Sequence, residues 1–266
     1  MEETVGRVKV PLEDHLRARR DGGAKLLVPY VTGGLPGWLD VLLAFADAGA
    51  DAIEVGIPFS DPVMDGPTIQ EASQRALDAG ATPQSIFADL RGVEAGVPLV
   101  AMTYANLPHK AGWDRFATDL DRAGISGAIV PDLPLEESAP WETAAAAAGV
   151  ATVLLTAPNS PDDRLARICE RSRGFVYGVT VMGVTGARTD LAATASRLGD
   201  RLKAATDLPV LMGFGVSAPD QAVDLSAHAD GVIIASALMR RFLDGGTPAE
   251  VASLVADIRT ALDAAP

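Results

Sequence analysis

Eight short and nearly uninterrupted apolar runs recur along the chain, near Leu27–Thr32, Ala52–Gly56, Leu99–Thr103, Gly127–Pro131, Ala151–Leu155, Phe175–Val179, Pro209–Met212 and Gly231–Ala235. A strand buried on both faces of a parallel sheet needs such a run, because neither face meets water. Parallel neighbours also need crossovers, and amphipathic stretches such as Trp38–Ala48, Thr68–Ala79, Trp113–Ala123 and Pro219–Ala227 supply them. Ala48-Gly49, Ala123-Gly124 and Ala148-Gly149 mark helix ends just before the next strand, where glycine takes the left-handed conformation. An extra helix near Pro11–Arg20 precedes the first strand, and Pro248–Ala264 closes the chain. Eight strand–helix units in about 240 residues predict an α/β fold, a (β/α)8 barrel of the TIM type. The alternative, a doubly wound open sheet, usually has about five or six strands. No Pro/Gly/Ser-rich linker divides the chain, so residues 1–266 are expected to form a single domain.

Charge narrows the partners. The net charge of −13 makes nucleic acid and anionic membrane poor partners, although a local nest of backbone amides can still hold a small phosphate. One cysteine, Cys169, excludes an internal disulfide and a Cys-rich metal site. No apolar run reaches membrane-spanning length and the N-terminus lacks a secretory pattern, so a cytoplasmic location is expected.

In a barrel of this kind the chemistry sits at the C-terminal ends of the strands. The polar residues there are Thr32, Glu54, Tyr104 with Asn106, Asp132, Thr156 and Tyr177. Glu54 interrupts an apolar strand, and burying a carboxylate without a partner is costly. Asp65 follows on a loop stiffened by Pro58 and Pro62. Together they suit general acid/base work on a substrate closed between them. The plainer reading pairs Glu54 with a surface Arg and makes Asp65 a helix cap. Tyr177 reads as a site residue or as a half-buried core tyrosine, and Asp132, between two prolines, reads best as structural support.

Three later loops have the make-up of phosphate cradles: Met182–Gly186, Gly213–Ser217 and Ile234–Ala237, the last two leading into helices. Lys9, Lys25, Lys110 and Lys203 lie away from strand ends, against a Schiff base, and His15, His109 and His228 are scattered, against a metal centre. Thr-Gly-Gly-Leu-Pro-Gly after the first strand has the wrong spacing for a dinucleotide site. Acid/base catalysis by carboxylates on a phosphorylated substrate remains.

The stretch Glu54-Val-Gly-Ile-Pro-Phe-Ser-Asp-Pro-Val-Met-Asp65-Gly-Pro-Thr-Ile-Gln closely resembles the signature of the tryptophan synthase α subunit family. The resemblance runs over residues 10–264, through Pro29–Thr32, Met102–Asn106, Pro131–Pro134, Gly183–Ala187, Gly213–Ser217 and Asp230–Val232. It implies retro-aldol cleavage of indole-3-glycerol phosphate to indole and glyceraldehyde 3-phosphate, with no metal or organic cofactor in this chain. By the same resemblance, Glu54 protonates indole C3 and takes up the glycerol hydroxyl proton, while Asp65 handles the indole N–H. Tyr177 lines the site and Thr185 holds Asp65 when the loops close. Gly186, Gly213, Phe214, Gly215 and Ser236 match phosphate-binding positions. The implied partner is a pyridoxal-phosphate β subunit in an α2β2 assembly, which Pro58 and Asp61 face. A stand-alone lyase releasing free indole and a non-catalytic activator of a β-type synthase are the alternatives. Four residues depart from the family pattern: Leu35 for Asp, Met64 for a small residue, Thr180 for Ser and Ala235 for Gly.

Overall fold

The computed structural model describes residues 9–179, 188–213 and 215–265, the side chains of 188–192 excepted. The chain runs α1 (Leu12–Asp21), β1 (Leu26–Thr32), α2 (Trp38–Asp47), β2 (Ile53–Gly56), α3 (Pro67–Asp78), α4 (Pro83–Leu90), β3 (Leu99–Met102), α5 (Asn106–Ala111), α6 (Trp113–Arg122) and β4 (Ile125–Ile129). It continues through α7 (Ala139–Ala147), β5 (Ala151–Thr156), α8 (Asp162–Arg171), β6 (Val176–Val179), α9 (Arg188–Ala205), β7 (Val210–Gly213), α10 (Pro219–Ser226), β8 (Gly231–Ile234), α11 (Ser236–Leu243) and α12 (Pro248–Ala264). The strands are parallel, each pairs with its neighbour in sequence, and β8 returns to β1. This is the expected TIM barrel with its extra N-terminal helix.

The expected strands all form, with ends displaced by one or two residues. The largest difference is in β4, which starts at Ile125 because Ser126 is itself buried and donates to the Leu99 carbonyl at 3.4 Å. The Ala-Gly stops behave as expected: Gly49, Gly124 and Gly149 have φ of 94°, 81° and 65°.

Side-chain alternation splits the apolar residues into two layers. Leu27, Val31, Ile53 and Val55 face outward and pack under the helices. Leu26, Val28, Ala52, Val100, Ile129, Val153, Phe175, Leu211 and Ile233 face inward and fill the barrel. Leu12 and Leu16 of α1 join that inner cluster, so the extra helix plugs the barrel at the end where the strands start. Gly127 and Gly174 make room for the plug, since a Cβ on either would lie 2.5 or 2.6 Å from a Leu12 methyl. With that end closed, the inner face opens only at the C-terminal mouth.

Candidate active site

Two residues further along each strand, the inner face changes character. Val28 is followed by Tyr30, Ala52 by Glu54, Val100 by Met102 and Tyr104, Phe175 by Tyr177, and Leu211 by Gly213. Strand register places Tyr30 beside Glu54. All three tyrosines of the chain therefore gather where both candidate acids lie.

Glu54 is 4% exposed and its Oε2 has no hydrogen-bond partner among the described residues. Burial, reinforced by the nearby Asp65 charge, pushes its carboxyl up to about 8. No arginine reaches it among the described contacts. Asp65 accepts a hydrogen bond from the Tyr104 hydroxyl at 3.0 Å, and that hydroxyl in turn accepts from the Met64 backbone N–H at 3.0 Å. Burial raises Asp65 to about 6, and the Tyr104 hydrogen bond offsets part of the rise. Asp65 does not cap α3, whose N-cap is Gly66 without a side-chain bond. Burial thus acts more strongly on Glu54 than on Asp65, which makes Glu54 the better proton holder of the two, as an acid/base pair requires.

The tyrosine hydroxyls are held by absences of side chain. A Cβ on Gly56 would fall 1.8 Å from the Tyr30 hydroxyl oxygen, and one on Gly213 would fall 2.4 Å from that of Tyr177. Tyr30 pairs with the residue two before Gly56, and Tyr177 pairs with Leu211, two before Gly213. In both places a tyrosine leans along the barrel and fills a gap left by glycine on the next strand. Burial, together with the charges of Glu54 and Asp65, raises both phenols well above the ordinary tyrosine range.

The remaining expected site residues divide into three groups. Ser236 opens α11 at the mouth, Gly213 ends β7, and Gly215 has φ 39°. Thr185, Gly186 and Phe214 lie outside the described residues, as do Thr180 and the loop Met182–Gly186. On the loop after β2, Asp61 is exposed and accepts from Ser60 at 2.6 Å, whereas Pro58 is buried within the chain. Val63 and Met64 are its exposed apolar residues, at 78% and 57%. Asp132 is structural, as expected: it accepts the Ala105 N–H at 2.8 Å and braces the segment that carries Tyr104. Sequence reasoning gave Tyr30 no place in the site and Tyr104 no role. The signal for Tyr104 was its strand-end position; that for Tyr30 was a glycine two residues after an inward Glu, meaningful only once the register is known.

A family model described as "Tryptophan synthase alpha chain" matches residues 16–261. The chain is 47% identical over 229 residues to the tryptophan synthase alpha chain of Thermobifida fusca, covering 84% of this chain and 85% of that protein. It is 42% identical over 256 residues to that of Streptomyces coelicolor, covering 93% and 94%. The chain belongs to the tryptophan synthase alpha chain family. Among solved structures, tryptophan synthase of Mycobacterium tuberculosis superposes with a TM-score of 0.86 at 37% identity, covering 94% of this chain and 97% of that one. As a tryptophan synthase alpha chain it is a lyase of tryptophan biosynthesis. Two of the departures from the family pattern, Leu35 and Ala235, can be placed in the fold. Leu35 is buried in the outer core at 6% exposure, and Ala235 has φ −124°, a conformation that needs no glycine.

Proposed function

We propose that this alpha chain cleaves indole-3-glycerol phosphate with Glu54 and Asp65 as its acid/base pair. The observation that carries the reading is a buried carboxyl, Glu54, whose Oε2 has no partner among the described residues, beside Asp65, which the Tyr104 hydroxyl holds on the loop after β2. Glu54 delivers its proton to indole C3, and the ring becomes an electron-accepting iminium. The C–C bond to the glycerol chain then breaks, its electron pair returning to the indole. The hydroxyl on the departing carbon gives its proton to the Glu54 carboxylate and becomes the aldehyde of glyceraldehyde 3-phosphate. Asp65, ionised and held by Tyr104, accepts a hydrogen bond from the indole N–H, supports the positive charge of the iminium, and leaves that proton on nitrogen as indole forms. Tyr177 lines the site beside Glu54, and Thr185 holds Asp65 when the loops close.

Phosphate binding falls to Gly213, Gly215 and Ser236, with Gly186 and Phe214, mostly through backbone amides and the N-terminus of α11. An amide cradle suits a chain of net charge −13, because it needs no lysine or arginine. The reaction uses no cofactor of this chain; pyridoxal phosphate belongs to a β subunit, with which an α2β2 assembly forms in the cytoplasm. Asp61, Val63 and Met64 are the exposed loop residues that face that partner.

The test is indole release by Glu54→Gln and Asp65→Asn. Glu54→Gln abolishes cleavage without loss of folding, and Asp65→Asn is nearly as damaging. A Glu54→Gln rate above about a tenth of wild type, a loss below roughly 1.4 kcal/mol in barrier, refutes the assignment.

A further inference from the structure

The inner face of β2 carries a carboxylate at Glu54 and, two residues nearer the mouth, no side chain at all. Tyr30 fills that gap from β1. Its Cα is paired with that of Glu54, and its ring runs along the barrel wall. A Cβ on Gly56 would lie 1.8 Å from its hydroxyl oxygen and 2.5 Å from Cζ, so β2 displays a phenol directly after its carboxylate. The ring is 3% exposed.

The hydrogen inventory around this pair is incomplete. Thr32, itself fully buried, donates its hydroxyl to the Tyr30 oxygen at 3.2 Å. That bond occupies the phenol oxygen as an acceptor and turns its own hydrogen away from Thr32. Among the described residues no hydrogen bond spends that hydrogen, and no donor reaches Glu54 Oε2. Among the described residues, then, a buried hydroxyl bound to Thr32 and a buried carboxylate oxygen without a partner belong to residues paired on adjacent strands. The matching arrangement of Tyr177 over Gly213 differs at this point, because its register partner is Leu211 and offers no carboxylate.

We propose that Tyr30 is a positioning residue for Glu54, its hydroxyl donating to the carboxylate once Glu54 has released its proton to the substrate. This rests on the assignment of Glu54 as proton donor. The Tyr30 O–H bond stays intact throughout: the Glu54 O–H breaks as the new C–H forms, and the phenol supplies only a hydrogen bond to the charge left behind. Asp65 faces Glu54 from the loop after β2, Tyr177 from β6 and Tyr30 from β1, with Tyr104, just beyond β3, acting through Asp65. Among these, Asp65 disfavours a charged Glu54, and Tyr30 is the phenol on the adjacent strand, free to favour it.

Tyr30→Phe keeps the ring and removes only the hydroxyl. A hydrogen bond to a charged group supports an expected fall in kcat of about ten-fold, with KM unchanged. In the free protein, the Glu54 carboxyl, followed by 13C NMR, titrates at higher pH than in wild type, because its ionised form has lost a donor. Thr32→Val, which leaves the phenol unanchored, shifts the titration in the same direction by less. Unchanged Glu54 titration in Tyr30→Phe overturns the proposal, as does a rise in KM alone, which makes the hydroxyl a substrate contact. The titration needs no substrate. A wild-type chain without cleavage activity refutes the assigned reaction, while the titration still decides whether Tyr30 acts on Glu54.

Discussion

A carboxyl that burial holds protonated at neutral pH makes stability and activity fall together as pH rises. Burial, with the Asp65 charge, pushes the Glu54 carboxyl up to about 8 from an ordinary value of 4.5. The folded state therefore binds the extra proton, and stability falls as pH rises through that window, on the order of 4 kcal/mol across it. Glu54→Gln removes the titration, so the variant is expected to be more stable than wild type at pH 8.5. The difference closes below pH 4.5; urea unfolding at both pH values checks it. The proposed mechanism needs Glu54 protonated and Asp65 ionised, so kcat/KM is expected to follow a bell with limbs near pH 6 and 8. Thr103 provides a second test of buried polarity. Its hydroxyl is buried without a partner among the described residues, while its N–H is bound to the Ile129 carbonyl. Thr103→Val, of nearly equal volume, should gain about 1 kcal/mol in urea unfolding with an unchanged m-value. Glu54 was legible in the sequence because a charge inside an apolar run stands out. Tyr30 was not, because a tyrosine in an apolar run looks like core until the strand pairing sets it beside an acid.

Among the elements, α1 and α11 carry the most consequence for the site. The plug formed by Leu12 and Leu16 closes one end of the barrel far from the acids. Leu16→Ala should cost about 2–5 kcal/mol of stability, read by denaturant unfolding, with the rate of indole release at low temperature unchanged. Near the mouth, α11 is tied to α3, the helix that follows Asp65: Arg240 donates to Glu71 at 2.6 Å, and Arg75 to the Leu243 carbonyl at 2.9 Å. The proposed phosphate helix and the segment carrying Asp65 are thus braced against each other. The strands were legible from their continuous apolar runs, and the extra N-terminal helix from its position. α4 was passed over, although Thr82, Pro83 and Ser85 spell its start, and the structure forms a capping box there. α7 shows only an alanine-rich run without a stripe, so its buried face, Trp141, Ala144 and Ala145, emerges only from packing.

The whole molecule is a closed wall of eight parallel strands, plugged at one end, with its carboxylates and phenols at the other. Counting strand–helix units was enough to read that architecture, because a barrel buries every strand on both faces. Convergence of Tyr30, Tyr104 and Tyr177 on Glu54 and Asp65 depends on shear and register, which no local pattern states. Exposed Val63 and Met64 on the loop before Asp65 place an apolar surface beside the chemistry, so a β subunit docking there would order the catalytic loop. The most direct test is indole release from indole-3-glycerol phosphate by the purified chain, alone and with a tryptophan synthase β subunit. Slow release alone, rising ten-fold or more (roughly 1.4 kcal/mol in barrier) with the partner, is the expected result. No indole under either condition would contradict the account.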